Sequence, residues 1–245
     1  MSILTVYIGY DSREPIAYEV CKHSILKHAS KPVNIQPLKL DKLQKQGLLP
    51  RPLEKKDGRW FDPVSNAYAS TEFSISRFLP FLMQQEGWAV FMDCDMLFLG
   101  DIYDLLKEAD SRYAVQCVQH DYIPQEDTKM DGQVQDAYFR KNWSSFFLLN
   151  ASHEANQRLE LVDINVRTGR ELHRFYWLHD REIGPLQAGW NWLVNVQPKP
   201  EPLYNAHFTL GGPWFPAWEP KQHDELWLEA ERSYIESQAY GSHIP

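Results

Sequence analysis

The sequence predicts an α/β fold, with a mixed, mostly parallel central sheet flanked by helices. Three observations carry this reading. The chain opens strand–helix–strand, a long apolar run at 88–99 (WAVFMDCDMLFL) reads as a central strand, and further short apolar runs alternate with helical periodicity toward the C-terminus.

Residues 3–9 (ILTVYIG) form a continuous apolar, β-rich run ending at Gly9, the pattern of a strand buried on both faces. Pro15 fits the first turn of a helix, where its missing N–H is no loss, and helical periodicity continues to about His28. Lys31 and Pro32 break the chain before a second strand, VNIQPL. Such a doubly wound opening places ligands beyond the C-terminal ends of its strands. Residues 41–67 are polar, with Pro and Gly, and read as an excursion or flexible loop. A helix is expected from about Thr71 to Gln85, kinked or split at Pro80 and ended by Gly87. The run 88–99 follows, and Asp101 is placed to cap a short helix, DIYDLLKEA. YAVQCVQ is another strand, and a polar stretch covers 120–141. SSFFLLN (144–150) reads as a strand, and a helix is expected from about Ser152. The aromatic stretch 171–196 resists assignment. YNAHFT (204–209) is a last short strand, GGPWFPAWEP a loop, and DELWLEAERSYIES a closing amphipathic helix.

Composition narrows the function. A hydrophobic content of 43% excludes a disordered chain, and 245 residues suffice for a substantial core. The net charge of -8 argues against nucleic-acid binding through a basic face. The three cysteines form no CxxC pair, which speaks against a zinc site and fits a reducing compartment. The N-terminus has no signal-peptide pattern, and no apolar window approaches the roughly 18 residues of a membrane span. A cytoplasmic protein is expected, with peripheral membrane association left open.

Asp93 and Asp95 are the main chemical signal. In a strand their side chains share one face, and two parallel carboxylates repel unless a cation lies between them. A divalent hard cation meets that need. D-x-D pairs also serve as turn or capping residues, but here VFM precedes and MLFL follows, and Asp101 already fills the cap role.

Four segments, in order, resemble family 8 glycosyltransferases and their relatives with the nucleotide-sugar-binding GT-A fold. Residues 77–106 (RFLPFLMQQEGWAVFMDCDMLFLGDIYDLL) resemble an Arg-containing helix followed by the family's DxD strand. VYIGYDS resembles its first strand, NWSSFFLLN its "NSGVMLIN"-type segment, and HFTLGGPW its closing "HxxGxxKPW" motif. The resemblance implies a single GT-A domain over 1–245, with a nucleotide-binding half (1–120) and a sugar- and acceptor-binding half (121–245). It implies a nucleotide-diphosphate sugar donor, a UDP-sugar by family habit, a glycan or other hydroxyl acceptor, and retention of configuration. Asp93, Asp95 and His207 would hold Mn2+ or Mg2+, with Asp93 also facing the diphosphate. Tyr10 and Asp11 would meet the base or ribose, and Gly211 and Gly212 the phosphates. Arg77 would reach the donor, Asn142 with Ser144 and Ser145 the sugar hydroxyls, and Asp180 the sugar or acceptor. Taken singly, His207 reads better as structural, Arg77 nearly as well as a salt-bridge partner, and Asp11 also as a helix cap. The family's Lys in the closing motif has no counterpart in GGPW. Aromatic residues at 190, 192, 214, 215 and 218 offer either packing or a glycan platform. His173 and His179 read as structural.

Two other functions share these acids. A sugar nucleotidyltransferase would carry a Gly-rich, basic loop after the first strand, where this chain has GYDSREP. A non-catalytic sugar-nucleotide or glycan-binding protein is the other alternative. P-loop, dinucleotide and nucleophile-elbow motifs are absent from the sequence.

Overall fold

The structure is a computed structural model, and it describes residues 3–121, 140 and 142–241. Most of the expected polar stretch 120–141 lies outside the described residues.

Strand β1 (Leu4–Gly9), helix α1 (Pro15–His28) and strand β2 (Val33–Leu38) form the expected opening unit. Pro15 starts α1, while Lys27 and His28 lie in its last turn, where positive charge suits the helix dipole. Pro37 is tolerated because β2 is an edge strand.

The segment 41–67 is not a loose loop. It holds helix α2 (Leu40–Lys45) and a three-stranded meander of β3 (Glu54–Lys56), β4 (Arg59–Asp62) and β5 (Ala67–Ala69). Asp57 and Gly58 both take positive φ (53° and 75°) and close the first hairpin. Asp-Gly is a strong short-range hairpin signal that the polar composition of the segment obscures. Arg51 fastens the excursion to the rest of the protein. Its buried guanidinium forks onto Asp62 and donates to the carbonyl of Ile164 at 3.0 Å.

The expected helix 71–85 is much shorter. The Ser74 hydroxyl donates to the Thr71 carbonyl (2.8 Å), a local bond that competes with helix. One 3-10 turn (Ser76–Phe78) precedes helix α3 (Pro80–Met83), so Pro80 begins a new element. The run 88–99 is also divided. Strand β6 (Trp88–Met92) ends before Asp93, and strand β7 (Met96–Phe98) belongs to a second sheet.

Asp101 caps the next 3-10 helix, accepting from the Tyr103 N–H at 3.0 Å. Strands β8 (Val115–Cys117) and β9 (Phe146–Asn150) follow. The helix expected from Ser152 is broken into a 3-10 turn, α4 (Leu161–Val166) and α5 (Gly169–His173). A reciprocal Thr168–Glu171 capping box starts α5 afresh. Strands β10 (Ile183–Pro185), β11 (Trp192–Leu193) and β12 (Asn205–His207) precede the closing helix α6 (Asp224–Gly241).

The main sheet runs β10-β8-β9-β6-β1-β2, with β9 antiparallel to both neighbours and the other pairs parallel. This is the mixed, mostly parallel sheet the sequence predicts. The small sheet runs β11-β12-β7. Phe81, Phe91, Phe147, Phe175 and Trp177 pack one dense aromatic core. Trp190 and Trp192 are fully buried, so they pack the core and form no glycan platform. No helix among the described residues is long and apolar enough to cross a membrane.

Candidate metal and sugar-nucleotide site

Register brings the acidic pair to the C-terminal edge of the sheet. Ile8 of β1 pairs with Met92 of β6, and Met92 pairs with Phe146 of β9. Gly9, Asp93 and Ser145 therefore stand level, and the Asp93 N–H donates to the Ser145 carbonyl at 2.9 Å. The chain then passes through Cys94 into β7, which pairs antiparallel with β12 so that Met96 faces His207. The Phe208 N–H closes this crossing on the Asp95 carbonyl at 2.9 Å. Asp93 and Asp95 thus aim at one point because the chain changes sheets between them, not because they alternate along one strand.

Asp93, Asp95 and His207 are all buried, and each offers a ligand atom within 4.8 Å of the others. His207 Nε2 lies 3.3 Å from Asp95 Oδ1. Its Nδ1 lies 2.9 Å from Asn191 Oδ1. Arg77, also buried, supplies the fixed positive charge. Its Nη1 is 3.2 Å from Asp93 Oδ1, its Nη2 3.4 Å from Oδ2, and Nη1 also donates to the Ser144 carbonyl at 3.0 Å.

Glu14 lies buried against this cluster and carries no sequence motif. Its Oε2 accepts from the Trp214 indole at 3.0 Å, and its Oε1 is 3.7 Å from Cys94 Sγ. Burial first, then the charges of Asp95 and Asp11, push its carboxyl up to about 8. The folded protein therefore keeps a proton that the unfolded chain releases near 4.5. Stability from this group is full below the unfolded pKa and falls as pH rises toward 8, by about 1.4 kcal/mol per unit. Glu14→Gln keeps the shape and holds the neutral form at every pH. Urea unfolding in metal-free buffer should show the variant more stable than wild type at pH 8.5, with the difference vanishing below about pH 4. A constant difference across that range would remove this account.

The other expected site residues fare unequally. Tyr10 follows β1 at the sheet edge, with Lys39 Nζ 4.1 Å from its ring centre. Asp11 does not cap α1; Glu14 occupies the cap position. Asp11 Oδ1 accepts from Arg13 N and Nε (both 3.0 Å), and Oδ2 from Arg13 Nη2 (2.7 Å) and Glu72 N (3.0 Å). Four donors fill a carboxylate, so Asp11 has no acceptor left for a ribose. The Gly211 N–H is also engaged, donating to the Phe208 carbonyl at 2.8 Å. Gly211 has φ of 102°, and a Cβ at Gly212 would meet the Trp214 ring at 2.1 Å, so both glycines have a structural reason to be there. Asn142 takes a left-handed conformation, and its buried Nδ2 has no hydrogen-bond partner among the described residues. Asp180 is 86% exposed and pairs with Arg140, apart from the buried cluster. His173 bonds Ser144 Oγ at 2.7 Å, in keeping with a structural role.

Sequence reading misses Glu14, Asn191 and His120. His120 follows β8 at the same sheet edge, and its buried Nε2 has no hydrogen-bond partner among the described residues. Burial and the nearby His207 push its imidazole down to about 3. These are single residues that only pairing of distant strands brings to the site.

The donor set fits a divalent cation. Two carboxylates and an imidazole converge, and His207 Nε2 faces a carboxylate oxygen that also accepts. A nitrogen beside two carboxylates suits Mn2+ better than Mg2+.

No family model matches the chain. Solved structures share its fold. An active-site mutant of LgtC superposes with a TM-score of 0.60, and galactosyltransferase LgtC with donor and acceptor sugar analogues with 0.56, both at 12% identity over 94% of this chain and 96% of that one. Glycosyltransferase GlyE of Streptococcus pneumoniae gives 0.56 at 13% identity, over 99% of this chain, which spans 64% of GlyE. Mouse xyloside xylosyltransferase 1 gives 0.53 at 11% identity, over 85% of this chain and 98% of that one. These establish the GT-A fold. Sequence similarity is much stronger to Protein CDI of Arabidopsis thaliana, 46% identical over 236 residues, which cover 94% of this chain and 86% of that protein. The chain therefore belongs to the family of Protein CDI, built on the GT-A fold.

Proposed function

We propose that this protein is a metal-dependent glycosyltransferase of the family 8 type, moving a sugar from a UDP-sugar to a hydroxyl of a glycan acceptor with retention. The observation that carries the reading is the convergence of Asp93, Asp95 and His207 at the C-terminal edge of the main sheet, where ligands of α/β folds bind. Structural neighbours with this fold support it, among them LgtC solved with donor and acceptor sugar analogues.

In this reading Asp93, Asp95 and His207 would hold Mn2+, or Mg2+. Such an ion, when bound, would supply positive charge to offset the negative charge developing on a diphosphate leaving group. Arg77 holds Asp93 in place from behind. The Asn142 side-chain N–H, buried and without a hydrogen-bond partner among the described residues, is available to a sugar hydroxyl. Tyr10 offers a face to the base, and Gly212 a backbone N–H to the phosphates. Asp180, exposed beside Arg140, is left to the acceptor. The first half of the chain serves the nucleotide and the second the sugar and acceptor, in one domain working in the cytoplasm.

A thermal-shift screen of nucleotide sugars, with and without Mn2+, tests this. Ligand at 100 times its Kd adds about 2.7 kcal/mol to folding stability, so one nucleotide sugar should raise Tm by several degrees, and only with metal. Product analysis with that donor then reads the transfer. No shift with any nucleotide sugar, in either condition, defeats the proposal.

A further inference from the structure

Ser145 stands at the centre of the site, though it touches no metal ligand through its own side chain. Its carbonyl accepts the Asp93 N–H at 2.9 Å. Its hydroxyl lies 2.7 Å from the Asn142 carbonyl, which can only accept. The hydroxyl has one proton, and that bond takes it. Asn191 Nδ2, 3.0 Å from Ser145 Oγ, must then be the donor in the next contact. Its amide is thereby oriented, and its Oδ1 faces His207 Nδ1 at 2.9 Å. An amide oxygen accepts, so Nδ1 carries the hydrogen. In the neutral ring, Nε2 then presents a bare lone pair toward Asp95 Oδ1, 3.3 Å away.

We infer that Ser145 and Asn191 are positioning residues that set the tautomer of His207, so that Nε2 is ready to bind a metal before any metal arrives. All three hydrogen bonds run one way, from His207 through Asn191 and Ser145 to the backbone of Asn142. Turning the Asn191 amide over would set its Oδ1 against a hydroxyl whose proton is committed elsewhere. Asn191, Ser145 and His207 are all buried, so water does not substitute for a missing partner. The relay also links two ligands that come from distant parts of the chain. Ser145 holds Asp93 through its main chain and His207 through Asn191. Imidazole ligands commonly donate their second N–H to such a partner, and loss of it weakens metal binding about 10–100-fold. The inference rests on the proposed metal site, but the tautomer can be read without metal.

The experiment is 15N NMR of the histidine-labelled full chain in metal-free buffer, joined to Mn2+ titration by EPR of free ion. In the wild-type chain the neutral His207 ring should be the Nδ1–H tautomer. Ser145→Ala should shift His207 toward a mixture with the Nε2–H form and weaken Mn2+ about tenfold or more. Asn191→Asp keeps an acceptor opposite Nδ1 and should keep the Nδ1–H tautomer. A wild-type ring in the Nε2–H form overturns the inference, as does Ser145→Ala with unchanged tautomer and unchanged Mn2+ affinity. Loss of the Nδ1–H form in Asn191→Asp counts against it too. Should the wild-type chain show the expected tautomer yet bind no Mn2+, the relay stands and the proposed function fails.

Discussion

Asp95→Asn should abolish metal-dependent transfer and, at the same time, make the metal-free protein more stable. The two effects have one cause. Asp95 is buried close to His207, and its charge raises the neighbouring Glu14 carboxyl. Without a bound cation, that negative charge is a liability that the neutral amide removes. The asparagine N–H can also donate to the His207 Nε2 lone pair across the 3.3 Å gap that now separates two acceptors. A gain of roughly 1–2 kcal/mol is expected in EDTA at pH 8, seen as a Tm higher by a few degrees. Catalysis moves the other way. Losing one anionic ligand from the donor set should lower kcat/KM about 1,000-fold or more, roughly 4 kcal/mol of barrier. The rise in Tm expected of the wild-type chain with Mn2+ should be missing in the variant. Release of nucleoside diphosphate from the donor found in the ligand screen measures the first effect, and scanning calorimetry with and without Mn2+ the second. A variant as active as wild type, or wild-type activity insensitive to EDTA, would show that the acidic pair serves something else.

The parts of this site differ in how openly the sequence announces them. Asp93 and Asp95 are conspicuous because two carboxylates interrupt an otherwise apolar run, and burial of such groups demands a partner. Their exact geometry is less accessible. Alternation along a strand gives the right conclusion, a shared direction, for the wrong reason, because β6 ends at Met92 and the chain changes sheets at Cys94. His207 is found only through the family resemblance of HFTLGGPW, since one histidine in a short apolar segment has no spacing to mark it. Asn191 and Glu14 are harder still. Asn191 follows Trp190 in an aromatic stretch without periodicity, and Glu14 reads as an ordinary polar residue before Pro15. Each acquires its role from contacts with residues far away in the chain, Asn191 with His207 and Ser145, Glu14 with Trp214 and Cys94. The fold shows the same division. Strands and helices backed by long apolar runs, such as β1, α1 and β9, fall where periodicity places them. The meander at 54–69 is missed because its strands are short and bury only Asp62 and Ala69, although Asp57 and Gly58 mark its turn.

Arg77→Met should destabilise the protein by about 3–5 kcal/mol, the largest loss expected from a single substitution at the site. For a chain of this length that is a fall of roughly 10 °C in Tm. The methionine fills similar volume between the rings of Phe73 and Phe91, near which the guanidinium carbon lies at 5.3 and 5.5 Å. Packing is therefore largely preserved, and the loss is electrostatic. Both Nη atoms of Arg77 face Asp93, and one also holds the Ser144 carbonyl. Their removal strips a buried carboxylate of its fixed counter-charge. Two further measurements separate this cause from simple loss of packing. The double variant Arg77→Met with Asp93→Asn should recover most of the lost stability, because the charge that needed compensation has gone, and the double-mutant cycle should give a coupling of about 2–3 kcal/mol. Adding Mn2+ to the single variant should restore stability by at least as much as it adds to wild type, because a bound cation takes over the compensating role. If the double variant is no more stable than Arg77→Met alone, the guanidinium is holding the backbone at Ser144 rather than the charge of Asp93, and the acidic pair must be neutralised by another group.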